Sequence, residues 1–167
     1  AVLNTVLGYY VTENVQKINL FPSAIFPGYL SILDLLKSDQ INDITTNYMN
    51  GPVAQYISEN GLAGWLKMQT HGGRARAIEE GLSKIDIAYI AVPYCDKFGN
   101  AVGYKGPNKC GSLGYAIPDS EYANIAVLVT DTLVEETIAT PEIYAKNVDY
   151  IIVVDSIGDK AGIVSGT

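Results

Sequence analysis

The chain has 167 residues, 48% hydrophobic and 17% charged, with 16 glycines and 7 prolines; this is the balance of one well-cored globular domain and excludes a disordered segment. A formal net charge of -7 excludes nucleic acid and an anionic membrane as principal partners, so a small polyanion would have to be held by local donors against the overall field. No apolar run reaches the roughly 18 residues of a membrane span, and Ala1-Val2-Leu3-Asn4 carries neither a basic region nor an initiator Met, so no signal peptide is read there. The missing Met and the end at Gly166-Thr167 give the expectation of a segment from a longer protein. Cys95 and Cys110 lie at no metal-binding spacing and read as reduced thiols, which makes a cytoplasmic location the default.

In chain order, residues 1–13 place Val2, Leu3, Val6, Leu7, Tyr10 and Val11 at helical spacing. A short strand follows over 18–21, a turn at Phe26-Pro27-Gly28, and a helix over 29–36 with leucines inward. Residues 41–48 read as a strand closing on Asn50-Gly51-Pro52, with Pro52 suited to the first turn of a helix over 53–58. A strand over 66–70 feeds a glycine turn, and a helix over 74–82 leaves it. A strand over 86–92 is stopped by Pro93. From 94 to 118 the pattern breaks among many glycines, too long for a passive connection. The continuous apolar runs 125–130 and 150–154 are the kind buried on both faces of a parallel sheet. Strands alternating with helices define an α/β layered open sheet, mostly parallel, with helices on both faces, in a single domain over 1–167.

Ligands gather at strand C-terminal ends in such sheets, and three polar, glycine-bearing stretches fall there: residues 46–51, 70–76 and 110–114. In Thr70-His71-Gly72-Gly73-Arg74-Ala75-Arg76, Gly72 and Gly73 permit positive φ or a close backbone approach. The first amides of the next helix point outward at its positive pole, and Arg74 and Arg76 add planar donors for carboxylates. The pattern is a carboxylate or phosphate pocket; its alternative is a solvated first turn with ion pairs to Glu79 and Glu80. Two residues apart, the arginines diverge by about 200° on a helix, so both serve one ligand only if Arg74 still lies in the turn. His71, the only histidine, is either a hydrogen-bonded turn residue or a donor to a carboxylate or developing oxyanion. No metal is expected, since no Asp or Glu stands at ligand spacing from it. Gly111-Ser112-Leu113-Gly114 misses the G-x-S-x-G pattern; it reads as a loop offering amides and a hydroxyl to a ligand, or as a plain turn. Asp155 and Asp159 are read as turn caps or, alternatively, acids.

Four phrases together carry a resemblance: Thr46-Asn47-Tyr48-Met49-Asn50-Gly51-Pro52-Val53, Thr70-His71-Gly72-Gly73-Arg74-Ala75-Arg76-Ala77-Ile78-Glu79, Cys110-Gly111-Ser112-Leu113-Gly114-Tyr115-Ala116 and Val153-Val154-Asp155-Ser156-Ile157-Gly158-Asp159. With Asp96-Lys97-Phe98-Gly99-Asn100 and Gly162-Ile163-Val164-Ser165-Gly166-Thr167 they resemble the citrate lyase alpha subunit family over nearly the whole chain, which corresponds to about the first third of such a subunit.

The resemblance implies the first of two coenzyme A transferase-like halves. It implies a citrate–acyl carrier transferase that exchanges citrate for acetyl on the acyl carrier, giving citryl carrier and acetate as the first step of citrate cleavage. The thiol would be the phosphoribosyl dephospho-coenzyme A arm of the gamma subunit. Further partners would be the lyase beta subunit, the second half of the same subunit, and further copies in a homo-oligomer. Under this reading Arg74 and His71 hold citrate carboxylates, with Arg76 and Thr70 in the same site. The amides of Gly72, Gly73 and Gly111, together with Ser112, serve substrate or oxyanion, and Asn47 orients. Ser58-Glu59-Asn60-Gly61 is similar to the signature around the glutamate that forms a thioester in one class of coenzyme A transferases, yet Asn60-Gly61 also reads as a helix cap. The competing readings are therefore an ordinary acyl-CoA:carboxylate coenzyme A transferase using Glu59, and a non-catalytic anion-binding module of the same fold.

Overall fold

The computed structural model describes residues 2–159, the side chain of Val2 excepted. The chain divides into two compact units whose boundary falls between Arg74 and Ala75. The first, Leu3–Arg74, runs through α1 (Val2–Thr12), β1 (Ile18–Leu20), β2 (Ala24–Ile25), α2 (Leu30–Lys37), β3 (Ile41–Thr46), β4 (Tyr48–Met49), α3 (Pro52–Asn60), β5 (Leu66–Met68) and the start of α4 (His71–Glu79). Its main sheet is parallel, in the order β1-β3-β5, and β2 pairs with β4, also in parallel. Leu20 faces Ile44, and Ala24 faces Tyr48 at the same offset, so β2 and β4 continue the β1–β3 ladder past a break. The strand expected over 41–48 is thus two strands, interrupted at Asn47.

Local chemistry accounts for these elements. Pro52 stands in the first turn of α3, where its missing N–H is no loss. Gly61, at φ 79°, ends that helix and donates its N–H to the Ile57 carbonyl at 2.8 Å, the helix-cap role expected of it. Helix α2 buries Ile32, Leu35 and Leu36 at spacings of three and four. They join Leu7, Ile25, Ile41, Ile44, Val53 and Ile57 in one core. Removing water from so many branched side chains is the main drive for this unit, about 1.5–3 kcal/mol for each one fully buried.

The second unit holds the rest of α4, then β6 (Ile87–Val92), β7 (Cys95–Asp96), α5 (Ala116–Tyr122), β8 (Ile125–Thr130), β9 (Leu133–Val134), a 3-10 turn (Ala145–Asn147) and β10 (Tyr150–Val153). It repeats the same device. A parallel sheet in the order β10-β8-β6 is continued by the parallel pair β7–β9, and Cys95 faces Leu133 at the offset that pairs Ile87 with Ile125. Ala88, Ile90, Val92, Leu113, Leu128 and Ile143 form its core. Strand β8 is buried at five consecutive positions, as expected of a central parallel strand. Strand β10 departs from that expectation. It lies at the sheet edge, so Tyr150, Ile152 and Val153 stay exposed.

The irregular stretch 94–118 is organised by a buried carboxylate. Asp96, fully buried, accepts the N–H groups of Phe98 (2.9 Å), Asn100 (3.0 Å) and Ile138 (2.9 Å) and the Asn100 amide at 2.9 Å. Burial alone would raise its pKa, but these four donors hold it below the ordinary carboxylate value. The fold class is α/β and mostly parallel; between named strands every pairing among the described residues is parallel. No helix among the described residues is long and apolar enough to cross a membrane.

Candidate functional site

The first unit brings five of the expected residues to the C-terminal ends of its strands: Asn47 directly after β3, Thr70 between β5 and α4, and His71, Gly72 and Gly73 in the first turn of α4. The glycine turn expected here is instead the first turn of the helix, which begins at His71 rather than 74. Neither Gly72 nor Gly73 takes positive φ. Thr70 provides the physical reason. Its hydroxyl oxygen accepts the Gly73 N–H at 3.0 Å, and its carbonyl accepts the Arg74 N–H at 2.9 Å, which caps the helix early. A Cβ at Gly73 would stand 2.9 Å from that hydroxyl oxygen, so the cap requires glycine there. At Gly72 nothing lies within 4 Å, leaving the helix entrance open to an approaching group.

Arg74 is 4% exposed, although arginine is seldom buried. Its Nη2 donates to the Phe21 carbonyl at 3.2 Å, and its guanidinium lies 4.6 Å from the centre of the Phe21 ring. Phe21 belongs to the break between β1 and β2, and Ser23 in the same break accepts the Asn47 N–H at 3.0 Å. One break therefore anchors both Arg74 and Asn47. Phe21 went unnoticed in the sequence, because Phe-Pro after an apolar run signals only a strand end. Arg76 behaves otherwise. It is exposed and pairs with Glu80 at 2.7 Å along the helix, as the alternative reading of this arginine had it. His71 is exposed at the head of α4.

Gly111 and Ser112 belong to the second unit, in an exposed loop. Its anchor is Glu142, which sequence patterning did not reveal. The Glu142 carboxylate accepts the Gly103 N–H at 2.7 Å and the Leu113 N–H at 3.2 Å. Burial pushes the Glu142 pKa up, but these two backbone N–H groups and the nearby Ser112 hydroxyl outweigh it and leave the carboxyl below its ordinary value. The Ser112 hydroxyl oxygen accepts the Gly114 N–H at 3.3 Å within the loop, whereas Gly111, at φ 89°, has nothing within 4 Å of where a Cβ would stand. Replacing Glu142 by Ala should free two backbone donors and loosen residues 103–113. The expected readout is at least tenfold faster amide hydrogen exchange there, with β8 unchanged.

Glu59 lies exposed in the last turn of α3, where its Oε1 accepts the Gln55 amide at 2.8 Å. Both cysteines are free thiols. Burial, with the Asp96 charge beside it, pushes the Cys95 thiol up to about 12, and partial desolvation with the Glu142 charge raises the exposed Cys110, so neither is an activated nucleophile. Among the described residues no group of three His, Cys, Asp or Glu side chains is placed to hold a metal.

Distant solved structures share this α/β arrangement. An acyl-CoA transferase from E. coli O157:H7 matches 93% of the chain and 42% of its own, with a TM-score of 0.64 at 11% identity, so the fold is coenzyme A transferase-like. Over residues 1–167 the chain matches the family model described as citrate lyase, alpha subunit, and it belongs to that family. It is 35% identical over 165 residues to the citrate lyase alpha chain of Haemophilus influenzae and 33% to that of Klebsiella pneumoniae. These matches cover 99% of the chain but 33% and 32% of the relatives, so the chain spans about a third of their length. A crystal structure assigned as the alpha subunit of citrate lyase in complex with citrate, from Streptococcus mutans, superposes with a TM-score of 0.92 at 39% identity, covering 98% of the chain and 32% of that protein.

Proposed function

We propose that this chain is the citrate-binding part of a citrate–acyl carrier transferase and the first of two transferase-like halves of a longer subunit. The reaction would exchange citrate for acetyl on the thioester arm of an acyl carrier, releasing acetate. The observation that carries the reading is the buried Arg74 guanidinium at the strand ends, steered by Phe21 and standing behind the open first turn of α4. Citrate is a trianion and the chain is itself acidic, so attraction has to come from such fixed local donors. Family membership and the citrate-bound Streptococcus mutans relative support the same ligand.

In this proposal Arg74 and His71 take citrate carboxylates, and Asn47 and Thr70 set the site's geometry. The helix-entrance amides at Gly72 and Gly73 lend their positive pole to negative charge, with the Gly73 N–H already spent on the Thr70 cap. Arg76, paired with Glu80, is a weaker candidate for direct contact. The arm supplies the thioester and is a substrate brought by the acyl carrier subunit. Open space in front of Gly111 suits the passage of an extended chain past the loop that Glu142 holds. A lyase beta subunit, the second half of the same subunit and further copies of it complete the proposed assembly, with a cytoplasmic location.

The test is transfer of labelled citrate onto acetyl-carrier by the full-length protein, with equimolar acetate released; absence of transfer overturns the reading. Trapping with hydroxylamine or borohydride during turnover should leave Glu59 unmodified, and Glu59→Ala should keep activity within about twofold. A labelled Glu59 would instead establish a glutamyl thioester.

A further inference from the structure

Asn47 and Gln69 carry polar atoms that the fold does not use. Asn47 Nδ2 and Oδ1 and Gln69 Nε2 are all shielded from water without a hydrogen-bond partner among the described residues. Buried polar groups are nearly always paired, because an unpaired one keeps its whole desolvation cost. Their backbone N–H groups are, by contrast, engaged. Thr46 and Met68 are the last paired residues of β3 and β5, and Asn47 and Gln69 follow them directly. The Gln69 N–H donates to the Thr46 carbonyl at 3.1 Å and the Asn47 N–H to Ser23 at 3.0 Å. Two neighbouring strand ends thus hold two amide side chains in place with their working atoms uncommitted. The break that fixes Asn47 also fixes Arg74 through Phe21.

The donor and acceptor inventory narrows the ligand. An ionised carboxylate only accepts, so guanidinium and backbone N–H groups suit it. Asn47 presents one acceptor whichever way its amide is turned. An acceptor is useless to a carboxylate and repels it. On a fully ionised hydroxy-polycarboxylate the one group able to donate is the alcohol. We infer that Asn47 and Gln69 form a hydroxyl-reading pair, the Asn47 carbonyl accepting the substrate alcohol O–H while the Asn47 and Gln69 N–H groups donate to its oxygen. The pair selects hydroxy acids over their deoxy analogues. This inference rests on the citrate-binding reading above and adds which feature of the ligand is recognised. A site built to bond a hydroxyl rejects an analogue lacking it far more strongly than an apolar pocket rejects a missing methylene.

The experiment is calorimetric titration of citrate and of tricarballylate, its deoxy analogue, into the full-length protein. Wild type should prefer citrate by about 100-fold or more. Asn47→Leu and Gln69→Met, of similar volume, should each lower citrate affinity at least tenfold, leave tricarballylate within about threefold, and shrink the preference accordingly. Both should also keep or raise the thermal midpoint of the ligand-free protein, since each removes an uncompensated buried dipole; a merely structural role would lower it. Asn47→Ser, smaller and still polar, serves if the leucine variant does not fold. Equal wild-type affinity for the two acids overturns the inference, as does an equal loss for both acids in the variants. Failure of wild type to bind citrate at all overturns the citrate-binding reading beneath it as well.

Discussion

Arg74→Ala in the full-length protein is expected to weaken citrate binding about a thousandfold, the upper part of the range for removing one partner of a desolvated charged contact. The magnitude follows from position. The guanidinium is 4% exposed, so its charge acts with little screening by water, and Phe21 fixes its direction through a carbonyl at 3.2 Å and a ring at 4.6 Å. Arg74→Lys should recover less than a tenth of the loss, because a point charge on a flexible stem reproduces neither the planar fork nor the ring contact. Arg74→Met separates binding from packing by keeping volume and apolar contact with Phe21; it should fold and still fail to bind. Calorimetry with thermal denaturation reads both quantities. Undiminished binding in the Met variant would make Arg74 a strut for the 21–23 break and not a ligand contact.

The largest expected effect on stability belongs to Asp96→Asn. The shape is kept, but one carboxylate oxygen becomes an NH2 group facing donors. Oδ1 serves the N–H groups of Phe98 and Asn100, and Oδ2 serves Ile138 and the Asn100 amide, so either orientation of the new amide strands two donors. At roughly 1–3 kcal/mol for each buried group left unpaired, the loss is about 2–6 kcal/mol, measurable as a lowered denaturation midpoint. The wild-type contribution should also depend on pH. Because the folded pKa is depressed, the stabilisation is complete above the unfolded value of about 4 and is lost as pH falls through the lower folded value. Asp96→Asn should therefore flatten the acid limb of the stability profile, and Glu142, shifted in the same direction, should leave a smaller slope behind.

Much of the fold was legible because its signals are local. Pro52 and Gly61 bracket α3 by backbone chemistry alone, and the run at 125–130 could only be a deeply buried strand. Strand β10 misled because an apolar run does not say whether a second neighbour exists, and here none pairs beyond it among the described residues. The early start of α4 was hidden because Gly72 and Gly73 suggest a turn, whereas Thr70 supplies a cap that makes them helical. For the site, residue types near strand ends were readable: Asn47 directly follows β3, and Arg74 lies in the first turn of the helix after β5. Their supports were not readable. Phe21 lies 53 residues from Arg74 in the chain, and Glu142 lies 39 from Gly103, contacts that only long-range folding creates.

The two interrupted ladders also bear on how this chain tolerates changes of length. Strands β6 and β7 are separated by Pro93 and Tyr94, β8 and β9 by Asp131 and Thr132, and pairing resumes at an unchanged offset. Deleting one residue from either gap alone would shift β7 against β9 by one position, and a deletion at Pro93–Tyr94 would also turn Cys95 and Asp96 to the opposite face. That would expel a buried carboxylate together with the four donors it gathers. Insertions and deletions at these gaps should consequently be tolerated only as matched changes of two residues in each strand, although the gaps lie some 40 residues apart and look like ordinary loops.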